Sequence, residues 1–148
     1  MDIPIAPLAR RISAISIADR VAQEQCLTQR TNEDDDIATG GVGSLVGYQV
    51  RLEAAATKDT QLLFVTPGIL LRKLQSSPTL NEFTHIIIDE IHERDRYTEF
   101  LLITLRDLLP IRPDLRLVLM SATLQTDLLY DYFQSYDHPF FQSSPPAI

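Results

Sequence analysis

The fold of this chain is decided at residues 85–94, which read HIIIDEIHER. The unbroken apolar run at 86–88 predicts a strand buried on both faces, because a half-buried strand would alternate apolar and polar residues. Asp89 and Glu90 follow directly, which places them at the carboxyl end of that strand, where open parallel sheets bind ligands. Two carboxylates that lose water need a compensating cation. The stretch therefore predicts a Mg²⁺ site.

The rest of the chain alternates between strand and helix patterns. Strands are predicted at 46–52, 61–65, 85–89 and 115–120, and helices at 13–29, 69–75, 98–109 and 126–133, with Ser13 as the first N-cap. This alternation predicts an α/β fold of βαβ units with a mostly parallel sheet and flanking helices. We expect one domain over 10–135, an irregular start at 1–9, where prolines weaken a strand, and an irregular Pro-rich end at 136–148.

The bulk composition is that of an ordinary globular domain. The chain has 148 residues, 45% of them hydrophobic and 22% charged. It has no apolar stretch of the roughly 18–20 residues that a membrane span needs and no secretory signal pattern. Its single cysteine, Cys26, allows no internal disulfide. We expect an intracellular protein, nuclear or cytoplasmic and not secreted, with no membrane partner.

The net charge of −7 argues against nucleic-acid binding over the whole surface. Any contact with a phosphate backbone must come from local groups such as Arg10 and Arg11. These two arginines precede a predicted helix start, where free backbone N–H groups favour an anion. From the residues alone, two solvent-facing arginines are an equally good interpretation.

Polar side chains end three of the predicted strands: Thr66, Asp89 with Glu90, and Ser121. Parallel strands would bring these ends to one edge of the sheet. At this point the chain resembles the first RecA-like domain of the DEAH/RHA (DExH-box) group of superfamily-two RNA helicases. The motifs that carry the resemblance are RRISA at 10–14, VGYQVR at 46–51, TPG at 66–68, DEIHER at 89–94 and SAT at 121–123. They occur in the family's order and span nearly all of 10–135.

The resemblance implies a role for each residue of the acidic box. Asp89 would hold Mg²⁺, through its water shell, between the β- and γ-phosphates of ATP, and Glu90 would polarise the attacking water. His92 would connect this site to the Ser-Ala-Thr motif and to a second RecA-like domain. The residues alone also allow two solvated acids at a strand end. His92 is a poor metal ligand, because no second His or Cys stands at a chelating spacing.

The remaining motifs imply coupling and RNA contact. By the resemblance, Ser121, Ala122 and Thr123 would link hydrolysis to strand separation, although a Ser/Thr turn that caps the next helix is a second interpretation. Arg10 and Arg11 would hold the RNA backbone, as would the Thr66-Pro67-Gly68 motif, and such contacts position a strand without reading its bases.

Two charged segments have a less definite place in this scheme. Arg51 either contacts RNA or, as we favour, pairs with an acid such as Glu53. Arg94, Asp95 and Arg96 are expected to form a surface or interdomain charge cluster, to which the sequence assigns no role.

One family motif is absent from the sequence. No Gly-x-x-x-x-Gly-Lys-Ser/Thr phosphate loop occurs, since the first glycine is Gly40 and the first lysine is Lys58, and Leu8-Ala9 stand where the family has Gln-Pro. We expect the strand that bears this loop to be missing from the centre of the sheet, which leaves a gap there. The sequence thus predicts part of an ATP-dependent RNA helicase, using ATP, Mg²⁺ and RNA together with the remaining helicase domains of a parent protein. The alternative is a truncated, non-catalytic remnant that binds RNA or a protein partner weakly.

Overall fold

The computed structural model describes residues 3–8, 10–25, 45–122 and 126–134. The elements are strands β1 (Pro4–Pro7), β2 (Val46–Val50), β3 (Glu53–Ala55), β4 (Leu62–Val65), β5 (His85–Ile88) and β6 (Arg116–Leu119), and helices α1 (Arg11–Glu24), α2 (Pro67–Ser76), α3 (Arg96–Leu108) and α4 (Thr126–Gln134). A short 3₁₀ turn spans Ile91–Glu93. None of the described helices is long and apolar enough to cross a membrane.

The strands form one sheet in the order β3-β2-β4-β1-β5-β6. All neighbouring pairs are parallel except β2 and β3, which form an antiparallel hairpin. The prediction of a mostly parallel α/β sheet is confirmed. The short strand β3 has no counterpart in the sequence prediction.

Strand β1 corrects two expectations about the start of the chain. The irregular start expected for 1–9 is wrong for Pro4–Pro7, which form a strand between β4 and β5. The expected gap at the centre of the sheet is also wrong for the part of the chain that the structure describes. Ile5, in this central strand, is fully buried. On the other side of β5, strand β6 is the edge strand, and no described strand pairs with its outer edge.

The prolines of β1 lie where the sheet needs no N–H donor. The Leu8 N–H bonds to the Val65 carbonyl of β4 at 2.7 Å, and successive N–H groups of a strand point to opposite neighbours. The Pro4 nitrogen therefore faces β4 before pairing with that strand starts at Ile5, and the Pro7 nitrogen faces β5 beyond Ile5, the last residue paired with it. Pairing on both sides outweighs the low strand propensity of proline. A local sequence pattern does not reveal this pairing.

Helices cover both faces of the sheet. On one face, α1 packs through Ala14, Ala18 and Ala22, and the four-residue spacing of these small buried side chains lets the helix lie close to the strands. On the other face, α2 and α3 cover the larger core, to which Phe133 of α4 also belongs. Helix α1 starts at Arg11 with Arg10 as its N-cap, so the prediction of Ser13 as N-cap is wrong. Ser13 lies within the first turn.

Gly47 of β2 lies against the backbone of β3, and this contact predicts that Gly47→Ala is destabilising. A Cβ at position 47 would lie 2.7 Å from the carbonyl oxygen of Ala55 and 3.1 Å from Thr60 Cγ2. We expect the substitution to lower the free energy of unfolding by about 1–3 kcal/mol, measured by urea denaturation. Gly68→Ala is the matched control, because no atom lies within 4 Å of a Cβ there. Equal stability of the two variants would contradict the prediction.

Candidate functional site

The carboxyl ends of four adjacent parallel strands meet at one side of the sheet, here called the carboxyl edge. In spatial order they are followed by Thr66 after β4, Arg10 after β1, Asp89 after β5 and Ser121 after β6. The prediction that the residues after β4, β5 and β6 share an edge is confirmed by this topology. The central position of β1 adds the Arg10-Arg11 pair between them.

The acidic box leaves β5 through an unusual backbone conformation. Glu90 has φ 55° and ψ 37°, and Arg94, after the 3₁₀ turn, has φ 47° and ψ 40°. Left-handed conformations cost a non-glycine residue roughly 1–3 kcal/mol and cluster at functional sites. The turn is held in place because Ile91 is buried and its N–H donates to the Met120 carbonyl at 3.2 Å. The conformation turns the chain just after Asp89, so that two consecutive carboxylates stand at the carboxyl edge.

The two carboxylates have different surroundings. Asp89 is half-buried, and its Oδ1 accepts the Glu90 N–H at 2.8 Å. Glu90 is more exposed, and its Oε2 lies 3.1 Å from His92 Nδ1. A proton on Nδ1 lets His92 donate to this carboxylate and fix its orientation. In the described residues, the contact of the His92 ring is therefore with the Glu90 carboxylate.

The chemistry of these groups fits a Mg²⁺ ion that keeps most of its water. The described residues contain no cluster of three or more His, Cys, Asp or Glu side chains that could cage a metal. Asp89 offers its second carboxylate oxygen, a hard ligand of the type Mg²⁺ prefers. Mg²⁺ is usually bound through one or two carboxylates, several waters and substrate phosphates rather than by a protein cage. Asp89 suits that manner of binding.

The connection from the acidic box to the Ser-Ala-Thr motif runs through backbone groups in the described residues. Ile91 donates to Met120, and Met120 donates to Ile88 at 2.8 Å, directly before Ser121. The Ser121 side chain makes no hydrogen bond to the box within the described ranges, and Ala122 is exposed. Thr123 lies outside the described residues. The coupling role of this motif stays a prediction.

Both candidate RNA-binding arginines form ion pairs. Arg10 Nη2 lies 3.4 Å from Glu93 Oε1 of the acidic segment. Arg11 Nη2 lies 2.6 Å from Glu53 Oε2, and Glu53 Oε1 accepts the Tyr48 hydroxyl at 2.7 Å. The first turn of α1 has no side-chain cap, so its N–H groups remain available to an anion.

Glu53, Tyr48 and Arg11 form a hydrogen-bonded group, here called the Glu53 cluster, in which two pKa values are shifted. The pKa of Glu53 is lowered, first by the hydrogen bond from Tyr48 and then by that from Arg11. The pKa of Tyr48 is raised, chiefly because its hydroxyl donates to Glu53. The cluster thus keeps Glu53 ionised and Tyr48 neutral.

The TPG motif forms the start of α2. Thr66 is the N-cap but makes no side-chain cap hydrogen bond, and Pro67 occupies the first turn. The space around the Gly68 Cα is open. Because β4 and β1 are neighbours, the starts of α2 and α1 both lie at the carboxyl edge. In the first turn of α2, Pro67 has no N–H and the Ile69 N–H donates to the Thr66 carbonyl at 2.9 Å, which leaves the Gly68 N–H for an anion.

Several functional contacts were not predicted from the sequence. The expected Arg51–Glu53 pair is wrong, since the ion-pair partner of Glu53 is Arg11, 42 residues away. A local pattern carries no signal for such a contact. Asp95, to which no role was assigned, is the N-cap of α3 and accepts the N–H groups of Tyr97 and Thr98. Its position before the apolar stripe of α3 is a capping signal that could have been recognised.

Comparison with known proteins agrees with the motifs. A family model described as DEAD/DEAH box helicase matches residues 21–130, and the chain belongs to this family. Its relatives include the DExH-box ATP-dependent RNA helicase DExH1 of Arabidopsis thaliana, 49% identical over 124 residues, which are 84% of this chain and 11% of that protein. The putative ATP-dependent RNA helicase DHX57 of Homo sapiens is 47% identical over 126 residues, 85% of this chain and 8% of that protein. The ATP-dependent RNA helicase DHX29 of Mus musculus is 45% identical over 124 residues, 84% of this chain and 8% of that protein. The chain thus spans only 8–11% of the length of these relatives.

Proposed function

We propose that this chain is part of an ATP-dependent RNA helicase, in which the carboxyl edge binds Mg²⁺–ATP on one side and the RNA backbone on the other. The observation that carries the proposal is the order along this edge. The acidic box after β5 lies directly beside the Arg10-Arg11 helix start after β1, which in turn lies beside the Thr66 helix start after β4. The printed names of the relatives, ATP-dependent RNA helicases, support the same assignment.

Glu90 is the residue we assign to the hydrolytic step. Its carboxylate accepts a proton from the attacking water, and His92, 3.1 Å away, holds that carboxylate in one orientation. Asp89 stands beside it to bind the metal through water. Mg²⁺, when bound, neutralises charge on the phosphoryl group that is transferred. The coordinating and proton-accepting roles therefore fall on separate, adjacent carboxylates.

The RNA backbone is assigned to the two helix starts. Arg10 and Arg11 supply positive charge at the start of α1, while Thr66, Pro67 and Gly68 form the start of α2, which is sterically open at Gly68. Backbone N–H groups and guanidinium groups bind phosphate without distinguishing bases. This supports binding of RNA with little sequence preference. The Arg10–Glu93 ion pair is a direct contact between the RNA side and the acidic box.

The phosphate cradle is the part that we assign to other segments of a longer protein. The 148 residues contain no Gly-x-x-x-x-Gly-Lys, and the matched region is only 8% of the length of two of the relatives. In the described part of the chain, the outer edge of β6 is unpaired and Val118 is 42% exposed. A further segment packed there would cover both features. The second candidate, a non-catalytic remnant, is favoured only by the absence of the phosphate loop.

A segment exchange distinguishes these two candidates. Residues 10–134 of this chain replace the aligned segment of mouse DHX29, and RNA-stimulated ATP hydrolysis of the chimera is measured. The helicase proposal predicts turnover within about tenfold of the unaltered relative, because an ATP-dependent enzyme must itself hold the phosphates and the chimera keeps every segment of the relative outside the exchange. The 148-residue chain alone is expected to give no turnover above buffer. A folded chimera without turnover would favour the remnant, and turnover by the isolated chain would show that the phosphate loop is not required.

A further inference from the structure

Glu53 is the acidic group most closely associated with the candidate RNA site. It follows the tight turn between β2 and β3, at the same carboxyl edge as the start of α1. Its two carboxylate oxygens are both engaged, Oε1 by the Tyr48 hydroxyl at 2.7 Å and Oε2 by the Arg11 guanidinium at 2.6 Å. The antiparallel hairpin thus fixes the carboxylate directly on an arginine that we assign to the RNA backbone.

We infer that Glu53 gates Arg11: it neutralises the guanidinium in the RNA-free chain, and a backbone phosphate must compete with it. This inference rests on the proposed RNA contact of Arg11. Glu53 is a positioning residue, since it acts on RNA only through Arg11. Tyr48 contributes by holding the carboxylate at the arginine, so that the competing charge stays in place.

The contacts distinguish Glu53 from the second carboxylate of the region. The Arg10–Glu93 pair is longer, at 3.4 Å, and the Arg10 side chain is 76% exposed. The Arg11–Glu53 pair is shorter, and the Arg11 side chain is 53% exposed. A phosphate can therefore reach Arg10 with little competition but must share or displace Glu53 at Arg11. The chain has a net charge of −7, and this ion pair further weakens its non-specific binding to polyanions.

Removing the charge of Glu53 should strengthen RNA binding. A phosphate bound by Arg11 would lie about 6 Å from the carboxylate, where their repulsion in water corresponds to about a threefold change in affinity. Without Arg11, no phosphate is held at that distance. Glu53→Gln removes that charge, and its single amide oxygen can accept from only one of the two donors, while its NH2 group can donate to the Tyr48 hydroxyl. If the substitution releases Arg11 for one additional phosphate contact, the salt dependence of binding should steepen by up to about 0.7 in log–log slope for a single strand.

The experiment measures binding of the 148-residue chain to a fluorescent 12-nucleotide oligouridylate by anisotropy, over a series of salt concentrations. The variants are Glu53→Gln, Arg11→Ala, the double variant and Glu24→Gln. Glu24 is the matched control, because it is an exposed carboxylate of α1 paired with Arg20 at 2.8 Å. We expect about threefold tighter binding for Glu53→Gln, no change for Glu24→Gln, and weaker binding for Arg11→Ala. In the Arg11→Ala background, Glu53→Gln should have less than half of its effect.

The outcomes separate the inference from the proposal on which it rests. If Arg11→Ala weakens binding but Glu53→Gln has no effect or weakens it, the gate is wrong and the RNA site stands. If Glu24→Gln raises the RNA affinity as much as Glu53→Gln does, or if Glu53→Gln raises it equally in the Arg11→Ala background, only the net charge of the chain matters. Either result would also overturn the gate. If the unaltered chain does not bind, or Arg11→Ala changes nothing, the RNA assignment of Arg11 fails and the inference fails with it. Circular dichroism melting of each variant shows whether the fold is retained.

Discussion

Glu90→Gln in the mouse DHX29 chimera is expected to lower kcat for ATP hydrolysis by about 10²–10⁴-fold, the usual contribution of general acid–base catalysis. The amide has nearly the shape of the carboxylate and can still accept a hydrogen bond from His92, which lies 3.1 Å from the Glu90 carboxylate. It cannot accept a proton from the attacking water. Because Asp89 is left to bind the metal, the KM for ATP should change by no more than about threefold, which marks an interaction made chiefly in the transition state.

Glu82→Gln is the matched control for this experiment. Glu82 precedes β5 at the opposite edge of the sheet, is 54% exposed, and pairs with Lys73 at 3.6 Å. It undergoes the same chemical change at the other end of β5, away from the candidate site. Its kcat should stay within about twofold of the unaltered chimera, as expected for a solvent-exposed pair. A loss of less than tenfold for Glu90→Gln would contradict the assigned role.

Arg112→Met is expected to lower the free energy of unfolding by roughly 2–4 kcal/mol, because it removes a charged donor from buried and half-buried carbonyl acceptors. The side chain of Arg112 is 11% exposed. It donates to the carbonyl oxygens of Thr79 and Phe83, to the Asn81 side chain, and through two nitrogens to Asp114. These bonds join the connection before β5 to the connection before β6. Methionine fills similar volume but leaves the carbonyl groups without this donor.

Arg20→Met is the control for Arg112, and urea denaturation followed by circular dichroism is the measurement. Arg20 is 78% exposed in a helical pair with Glu24, so its replacement should change stability by no more than about 0.5 kcal/mol. The pKa of Asp114 is lowered, chiefly by its hydrogen bond with Arg112, which agrees with a close charged contact. A loss below about 1 kcal/mol for Arg112→Met would show that water satisfies the exposed carbonyl groups.

The sequence by itself determined the elements near the acidic box and the edge at which they meet. The run at 86–88 predicts a buried strand because its periodicity excludes a half-buried one, and Asp89 follows β5 as expected. Helix α3 and strand β6 were predicted to within two residues at each end. Each of these elements carries its signal in its own residues. The motifs identified the helicase family for the same reason, since they are local patterns in a fixed order.

Only the tertiary structure decided how distant segments combine. The sequence predicts an irregular segment at Pro4–Pro7, yet these residues form the central strand. Pairing with β4 and β5 on both sides outweighs the low strand propensity of proline. The Arg11–Glu53 and Arg112–Phe83 contacts join residues 42 and 29 positions apart. No periodicity records such contacts, since they depend on where the strands lie in the sheet. The acidic box is thus a local property of the sequence, whereas its position beside the arginine pair is a property of the fold.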